Sequence, residues 1–369
     1  MRVHFLLILP FLLTFDSLLF SQDKLEENRA IAEIEKQGGK VRRDQDRPGK
    51  PVVSVNLDCV KDADACLKQI TNLPTLKSLQ VFQSPVTDAG LKNVQTLKGL
   101  TSLFLYDIPL TNEGLVNLKG LTELQQLTIG HTRISDEGLE SLKEMTKIEE
   151  LYLFERAITG IGLAHLKKLT KLRRLVLAET RTTNDSLKHL QGFTNLQELI
   201  LADTQVSGAG LEHLKNLLAL RTLGLSANQL SDAGVANVKQ MKKLESLFVT
   251  SSKKGEEGCA KKVPFVQALV LAITFNGATD NDLASLKGVT NLSGLILSDT
   301  KITDVGLANL KGITSLRTLD LSRTAVTDEG MMHLQGLDKL KSLNLRGTKV
   351  TAEGIMALKK ALPGVAIAH

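Results

Sequence analysis

Aromatic residues and runs of one charge are scarce in this sequence of 369 residues. Tryptophan is absent, tyrosine occurs twice, and aromatic residues make up 4% of the chain. The 46 Lys and Arg residues are interspersed with 40 Asp and Glu residues, without a long basic run. Mixed charge of this kind is typical of a solvated surface, so we predict no nucleic-acid partner. Hydrophobic residues make up 42%, which is enough for a sizeable core.

Cysteine is also scarce, with Cys59, Cys66 and Cys259 as the only three. Their spacing does not indicate a metal site. Two interpretations of the first pair stay open. In an exported protein Cys59 and Cys66 can form a disulfide, and they can equally be small apolar residues of a terminal repeat.

The signatures of common enzymes are missing. The chain has no G-x-S-x-G, no H-E-x-x-H, no Walker-type loop and no G-x-G-x-x-G after a strand. Four histidines share one repeat phase, but Asn and Ser occupy the same phase elsewhere, which predicts hydrogen bonding and not metal binding. These are His165, His189, His213 and His333. We therefore predict a protein that is not an enzyme, with no catalytic residue, no metal and no cofactor.

Residues 1–21 predict an export signal. Arg2 provides a positive charge, and residues 5–15 form an apolar run too short to span a bilayer. A plausible cleavage point follows Ser21. Cleavage would give an exported protein (periplasmic, in the cell envelope or secreted) without stable membrane insertion, and a retained anchor is the alternative.

An internal repeat organises residues 52–369. Most units are 24 residues long, and we expect an irregular region at 250–282, where the steps are 22 and 26. The thirteen predicted units begin at Val52, Leu76, Leu100, Leu124, Ile148, Leu172, Leu196, Leu220, Leu244, Val266, Leu292, Leu316 and Leu340.

The unit at 316–339, LRTLDLSRTAVTDEGMMHLQGLDK, shows the pattern. LRTLDL alternates apolar and polar residues, which predicts a strand, and TDEGMMHLQGL has helical spacing after the N-cap residue types Thr327 and Asp328. A glycine recurs inside this helix in nine units. Because a helical glycine costs about 1 kcal/mol relative to alanine, we expect a neighbour there too close to admit a Cβ.

These units resemble leucine-rich repeats of the form LxxLxLxxTxITDxGLxxLxxL, similar to those of exported bacterial proteins and related to the cysteine-containing subtype of F-box proteins. The resemblance implies an α/β fold, a right-handed solenoid or horseshoe with a concave parallel sheet and convex helices. It also implies that the threonines after the strands, such as Thr180 and Thr324, stabilise turns. Stacked repeats share one continuous core, since no unit buries its apolar face alone.

Both ends of the array carry additional elements. Residues 22–51 predict a capping helix, with Ala30, Ile31 and Ile34 on its apolar side and its end at Gly38 and Gly39, followed by a strand. At the other end, LPGVAIAH predicts a last short strand.

Aromatic residues concentrate where strands should face away from the core. Side chains alternate along a strand, so the residues between core leucines point to the concave side. The residues one position further along several of these strands are acidic, and we call them the acidic line. An aromatic centre with a charged rim is typical of a protein interface, and the alternative is that the rings only stack on one another. The predicted binding residues are Phe82, Phe104, Tyr106, Tyr152, Phe154, Phe248, Asp107, Glu155, Glu179 and Asp203.

We therefore expect a non-enzymatic scaffold that binds a protein or peptide, with a basic segment, on its concave face. Two alternatives stay open. The first is a carbohydrate-binding module of the cell envelope, and the second is a substrate adaptor similar to F-box proteins.

Overall fold

The structure is a computed structural model that describes residues 9–226, 229, 232–241, 243–244, 246–250, 279–284 and 294–369. The chain divides into two compact units, Met1–Ile148 and Glu149–His369. In the part that is described, no helix is both long enough and apolar enough to cross a membrane.

The first unit contains a sheet in which β1 is antiparallel to β2 and the following strands are parallel and in register. Sequence neighbours are also neighbours in the sheet, because each repeat adds one strand. The strands are β1 (Lys40–Arg43), β2 (Val52–Asp58), β3 (Ser78–Phe82), β4 (Ser102–Tyr106) and β5 (Gln126–Gly130).

Short helices follow the strands of the first unit, and one long helix precedes them. The α-helices are α1 (Leu9–Lys36), α2 (Ala63–Gln69), α3 (Asp88–Leu91) and α4 (Asn112–Val116). The 3-10 helices are Ile70–Asn72, Lys92–Thr96 and Asp136–Leu142. Gly38, with φ of 98°, lies just beyond the end of α1, and this left-handed conformation favours glycine.

The second unit has a parallel sheet whose described strands again follow chain order. They are β6 (Glu150–Phe154), β7 (Arg174–Val176), β8 (Glu198–Ile200), β9 (Thr222–Ser226), β10 (Ser246–Thr250), β11 (Gly294–Ile296), β12 (Thr318–Asp320), β13 (Ser342–Asn344) and β14 (Ala366–Ala368).

The helices of the second unit are short, and several repeats have only 3-10 turns where the sequence predicts helix. The α-helices are α5 (Asp232–Gln240), α6 (Asp280–Ala284), α7 (Asp304–Leu307), α8 (Asp328–Met331) and α9 (Ala352–Ala361). The 3-10 helices are Ile161–Leu166, Asp185–Gly192, Gly208–Leu214, Ala308–Leu310 and Met332–Leu334.

Repeated leucines form the core of each unit. Leu79, Leu103 and Leu127 are partners in adjacent strands of the first unit and are fully or almost fully buried. Leu151 and Leu175 have the same relation in the second unit. The strand alternation predicted from the sequence therefore places the leucines on one face, and we call the other face of each sheet its outward face.

In five of the described repeats a carboxylate bonds the start of the next repeat's helix. Asp64 Oδ1 accepts a hydrogen bond from the Thr87 amide at 2.9 Å, and Asp64 Oδ2 accepts one from the Thr87 hydroxyl at 2.6 Å. The Thr87 hydroxyl in turn accepts from the Gly90 amide and caps α3. The same pattern links Asp88 to Thr111, Asp280 to Thr303, Asp304 to Thr327 and Asp328 to Thr351. We call this arrangement the Asp–Thr ladder.

The ladder explains the recurring glycine. A Cβ built on Gly90 would collide with the carboxylate of Asp64, and one on Gly354 would collide with that of Asp328. Asn112 and Asn184 take the aspartate's place beside Gly138 and Gly210. The expectation of a neighbour too close for a Cβ is thus confirmed, and the neighbour is a side chain.

The threonines after the strands stabilise turns, as expected. The hydroxyls of Thr180, Thr300 and Thr324 each donate to the carbonyl three residues earlier, at 2.7 Å. At the helical phase of the histidines, Asn93 and Asn309 donate to the carbonyls of Gly90 and Gly306. Both positions support the backbone.

The first end of the array carries a helix and a strand, and the last end carries a strand. Ala30 and Ile34 of α1 are buried, α1 packs against α2, and β1 follows it. At the other end β14 pairs with β13. The export signal stays a prediction.

The unit predicted to begin at Val266 stays a prediction, because its strand lies outside the described residues. Among the residues that are described, β10 pairs with β11, with Phe248 opposite Ile296. Residues 251–278, which make up most of the expected irregular region 250–282, lie outside the described residues.

Cys59 and Cys66 are not joined. Cys59 is exposed and Cys66 is buried in α2. Burial, with contributions from Asp62 and Glu33, raises the pKa of the Cys66 thiol to about 11. Cys66 is therefore the small apolar core residue of the second interpretation.

The ladder predicts coupled effects of two substitutions. Gly90→Ala should lower the free energy of unfolding by about 1–3 kcal/mol, since the new methyl group displaces Asp64. In an Asp64→Ala background the same change should be neutral or stabilising, because the obstruction is gone and alanine favours the helix. Urea unfolding of the four proteins measures the coupling.

Two controls complete this experiment. Gly336→Ala should change little, because no atom lies within 4 Å of the added Cβ. Asp64→Asn should retain most of the free energy of unfolding, because Asn112 occupies the equivalent position beside Gly138. Additive effects of Gly90→Ala and Asp64→Ala would contradict the ladder.

Candidate functional site

The outward face of the first unit carries two rows of side chains in register across β2–β5. One row is Asn56, Gln80, Phe104 and Thr128, and the next is Asp58, Phe82, Tyr106 and Gly130. The predicted positions Phe82, Phe104 and Tyr106 therefore lie on neighbouring strands of one surface. All three rings are partly exposed.

The rings form a contiguous cluster. The Phe104 and Tyr106 rings stack with centroids 5.8 Å apart, and the Phe82 ring lies 6.0 Å from Tyr106. His131 extends the cluster, with its ring 4.7 Å from Tyr106. We call Phe82, Phe104, Tyr106 and His131 the aromatic patch. The rings stack on one another and still present surface to solvent.

His131 is a member of the patch that sequence reasoning missed. It is exposed, and its Nε2 lies 3.2 Å from the Tyr106 hydroxyl. A signal was present, since His131 follows Asp107 by one 24-residue repeat. The acidic line contains only the carboxylates at that position and therefore omits His131.

Carboxylates border the aromatic patch. Asp58, opposite Phe82 in the sheet, accepts hydrogen bonds from Asn56 Nδ2 at 2.9 Å and from Gln80 Nε2 at 2.9 and 3.0 Å. On the other side, Asp107 Oδ2 accepts from Gln83 Nε2 at 2.8 Å. Both carboxylates are held in fixed positions by amides that do not neutralise their charge.

Backbone conformation accounts for much of the acidic line. Asp107, Glu179 and Asp203 have φ of 54°, 62° and 55°. Among residues other than glycine, this left-handed region favours Asp, Asn and His. Glu155 departs from the pattern, because its φ is not positive and it is only 3% exposed. Asp107 belongs to the first unit, whereas the other three lie in the second.

The predicted solvent exposure of Tyr152 and Phe154 is wrong. Tyr152 is 0% exposed and Phe154 4% exposed. Tyr152, Val176 and Ile200 are in register on the outward face of β6–β8, and all three are buried. Alternation identifies the face of a side chain but not whether solvent reaches that face.

Polar contacts hold the Tyr152 hydroxyl. It donates to Glu150 Oε2 at 2.7 Å and accepts from Arg174 Nη1 at 3.0 Å, and Arg174 Nε donates to Glu198 Oε2 at 2.8 Å. Burial raises the pKa of Tyr152 to about 12; the hydrogen bond from Arg174 opposes this shift and the one to Glu150 adds to it. Tyr152 is thus a buried structural residue.

The remaining predicted position, Phe248, lies in β10, and its side chain is outside the described part of the chain.

Comparisons with known proteins agree with this geometry. Family models described as leucine-rich repeat match residues 290–350 and 121–143. Residues 121–143 and 290–350 are leucine-rich repeats. No curated protein sequence matches the chain.

Solved structures contain similar leucine-rich repeats. An internalin, InlF, of Listeria monocytogenes is 20% identical with a TM-score of 0.51, over 88% of this chain and 91% of that one. An internalin C2 of the same species is 23% identical with a TM-score of 0.38, over 69% and 83%. A leucine-rich-repeat protein of Leptospira interrogans is 17% identical with a TM-score of 0.40, over 83% and 87%. At these identities the likeness concerns the fold.

The two tyrosines should respond differently to truncation. Tyr152→Ser should lower the free energy of unfolding by about 3–5 kcal/mol, because it empties a buried site in the leucine-rich repeats. Tyr106→Ser should cost about 1 kcal/mol, mainly from lost ring contacts. Urea unfolding of both variants makes the comparison, and equal losses would contradict the assigned environments.

Proposed function

We propose that the chain is a non-enzymatic scaffold that binds a protein or peptide through the aromatic patch of its first unit. The leucine-rich-repeat fold supports a role in protein interaction. The observation that carries the proposal is the contiguous, partly exposed group of Phe82, Phe104, Tyr106 and His131.

The composition of the patch supports an interface. Aromatic side chains bury about 150–250 Å² each when covered, so partly exposed rings still offer several hundred Å² together. Apolar patches of that size are uncommon on a protein surface unless they bind something. Central aromatic residues also contribute most of the binding energy in many interfaces.

The bordering carboxylates define the partner's chemistry. Asp58 lies beside Phe82, and Asp107 follows Tyr106 directly. A Lys or Arg side chain suits this arrangement, because its charge meets a carboxylate while its stem or cation covers a ring. We therefore propose a peptide with an apolar or aromatic anchor next to a basic residue.

The site in this proposal is smaller than the sequence predicted. Tyr152, Phe154 and Glu155 are buried, so they are excluded from direct contact with a partner. The carbohydrate-binding and adaptor alternatives receive no support from the comparisons. We retain export through residues 1–21, without stable membrane insertion, as part of the proposal.

Selection from a phage-displayed peptide library tests this function. The immobilised chain should enrich peptides with an aromatic or aliphatic residue beside Lys or Arg. Tyr106→Ala should weaken binding of an enriched peptide by about 30-fold, which corresponds to about 2 kcal/mol. Added salt should weaken it as well, because Asp58 and Asp107 are screened.

A matched control separates the patch from general apolar surface. Val116 is an exposed apolar residue of α4 in the same unit, and Val116→Ala should leave peptide binding unchanged. Enrichment that survives Tyr106→Ala, or equal losses in both variants, would place the binding site elsewhere.

A further inference from the structure

In the second unit, cations that are scattered through the sequence lie along one edge of the sheet, the side at which the strands begin. Each repeat has a short segment that leads from the end of its helix into the next strand. The strands are parallel and in register, so these segments lie at the same edge. Backbone bonds join neighbouring segments, with Arg221 N donating to Gln197 O and Gln197 N to Arg173 O.

The charge at this edge is predominantly positive, although Glu149, which leads into β6, lies 3.8 Å from Arg173. The segments are residues 167–173, 191–197, 215–221, 311–317, 335–341 and 359–365, and among them Asp338 is the one carboxylate. Their cations are all exposed. We call these residues the basic edge: Lys167, Lys168, Lys171, Arg173, Lys215, Arg221, Lys311, Arg317, Lys339, Lys341, Lys359 and Lys360.

At the opposite edge of the same sheet, where the strands end, positive and negative charges are equal in number. Residues 154–160, 178–184, 202–208, 298–304, 322–328 and 346–352 contain six cations and six carboxylates. Some of these pair with each other, as Arg323 does with Asp299. The net charge of +6 is therefore unevenly distributed, and the excess lies on the basic edge.

An open cavity of about 570 Å³ lies on the basic edge. Arg317, Lys339 and Lys341 line it together with Asp338 and the turn at Pro363 and Gly364. Three cations around one opening favour the binding of a small anionic group, such as a phosphate ester.

The residue types favour a lipid surface over nucleic acid. Nine of the twelve cations are Lys, which acts as a hydrated point charge, whereas Arg is the residue preferred for bidentate recognition in nucleic-acid sites. Leu218 lies within the edge between Lys215 and Arg221 and is 69% exposed. An apolar side chain among lysines suits the boundary between headgroups and acyl chains.

We propose that the basic edge binds the surface of a bilayer that contains anionic phospholipids. Binding is peripheral and electrostatic, with the cavity at Arg317, Lys339 and Lys341 receiving a phosphate headgroup. This function is additional to peptide binding at the aromatic patch and uses residues of the other unit.

Vesicle sedimentation tests the proposal with the full chain. The protein should sediment with vesicles of phosphatidylglycerol and phosphatidylcholine at low salt, and not with phosphatidylcholine alone. Each cation near an anionic surface strengthens partitioning about fivefold, so Arg317→Gln/Lys339→Gln/Lys341→Gln should lower it by about 100-fold. High salt should release the wild-type chain.

The matched control has the same change of net charge on the opposite edge of the same region of the second unit. Lys301→Gln/Arg346→Gln/Lys349→Gln should keep partitioning within about twofold of the wild type, since these exposed cations belong to the balanced edge. Thermal unfolding by circular dichroism verifies that both triple variants are folded.

Three results would overturn the proposal. The first is equal loss of binding in both triple variants, which would mean that net charge alone matters. The second is equal binding to phosphatidylcholine vesicles. The third is binding to dextran sulfate without binding to vesicles, which would identify a soluble polyanion as the ligand.

Discussion

The Asp–Thr ladder is the interaction on which the rest of the structure depends. One carboxylate accepts hydrogen bonds from both the amide and the hydroxyl of the next repeat's N-cap threonine, and that hydroxyl oxygen accepts a hydrogen bond from an amide of its own helix. The starts of five helices are thereby fixed relative to the repeats before them. Since the strand begins ten residues before the helix in each of these five repeats, the ladder also fixes the register of their strands. Each ladder carboxylate occupies the space of a Cβ at one position of the next repeat, as Asp64 does at Gly90. That position therefore requires glycine.

Register converts a periodic sequence into surfaces of distinct character. In the first unit it aligns Phe82, Phe104 and Tyr106 next to Asp58 and Asp107, which gives an accessible aromatic patch with fixed charges. In the second unit the same register aligns Tyr152, Val176 and Ile200 on an outward face that is buried, and it gathers cations along one edge. Equivalent positions of the repeat are therefore accessible in the first unit and buried in the second.

The sequence predicts the repeated features well, because they depend on local periodicity. The alternating leucines, the threonine turns and the crowded glycines all follow from residue types at a fixed phase. It does not predict the burial of Tyr152, since alternation indicates a face and burial depends on contacts distant in sequence. His131 was missed because the acidic line includes only the carboxylates at its position in the repeat.

The central claim is that the aromatic patch is accessible while the matching aromatic residues of the second unit are not. The chain has only two tyrosines, one in each place, so nitration with tetranitromethane followed by mass spectrometry of tryptic peptides reports on both. In the native chain the account predicts fast modification of Tyr106 and protection of Tyr152, with equal reactivity once the chain is unfolded in urea. Modification of Tyr152 as fast as Tyr106 in the native chain would contradict it.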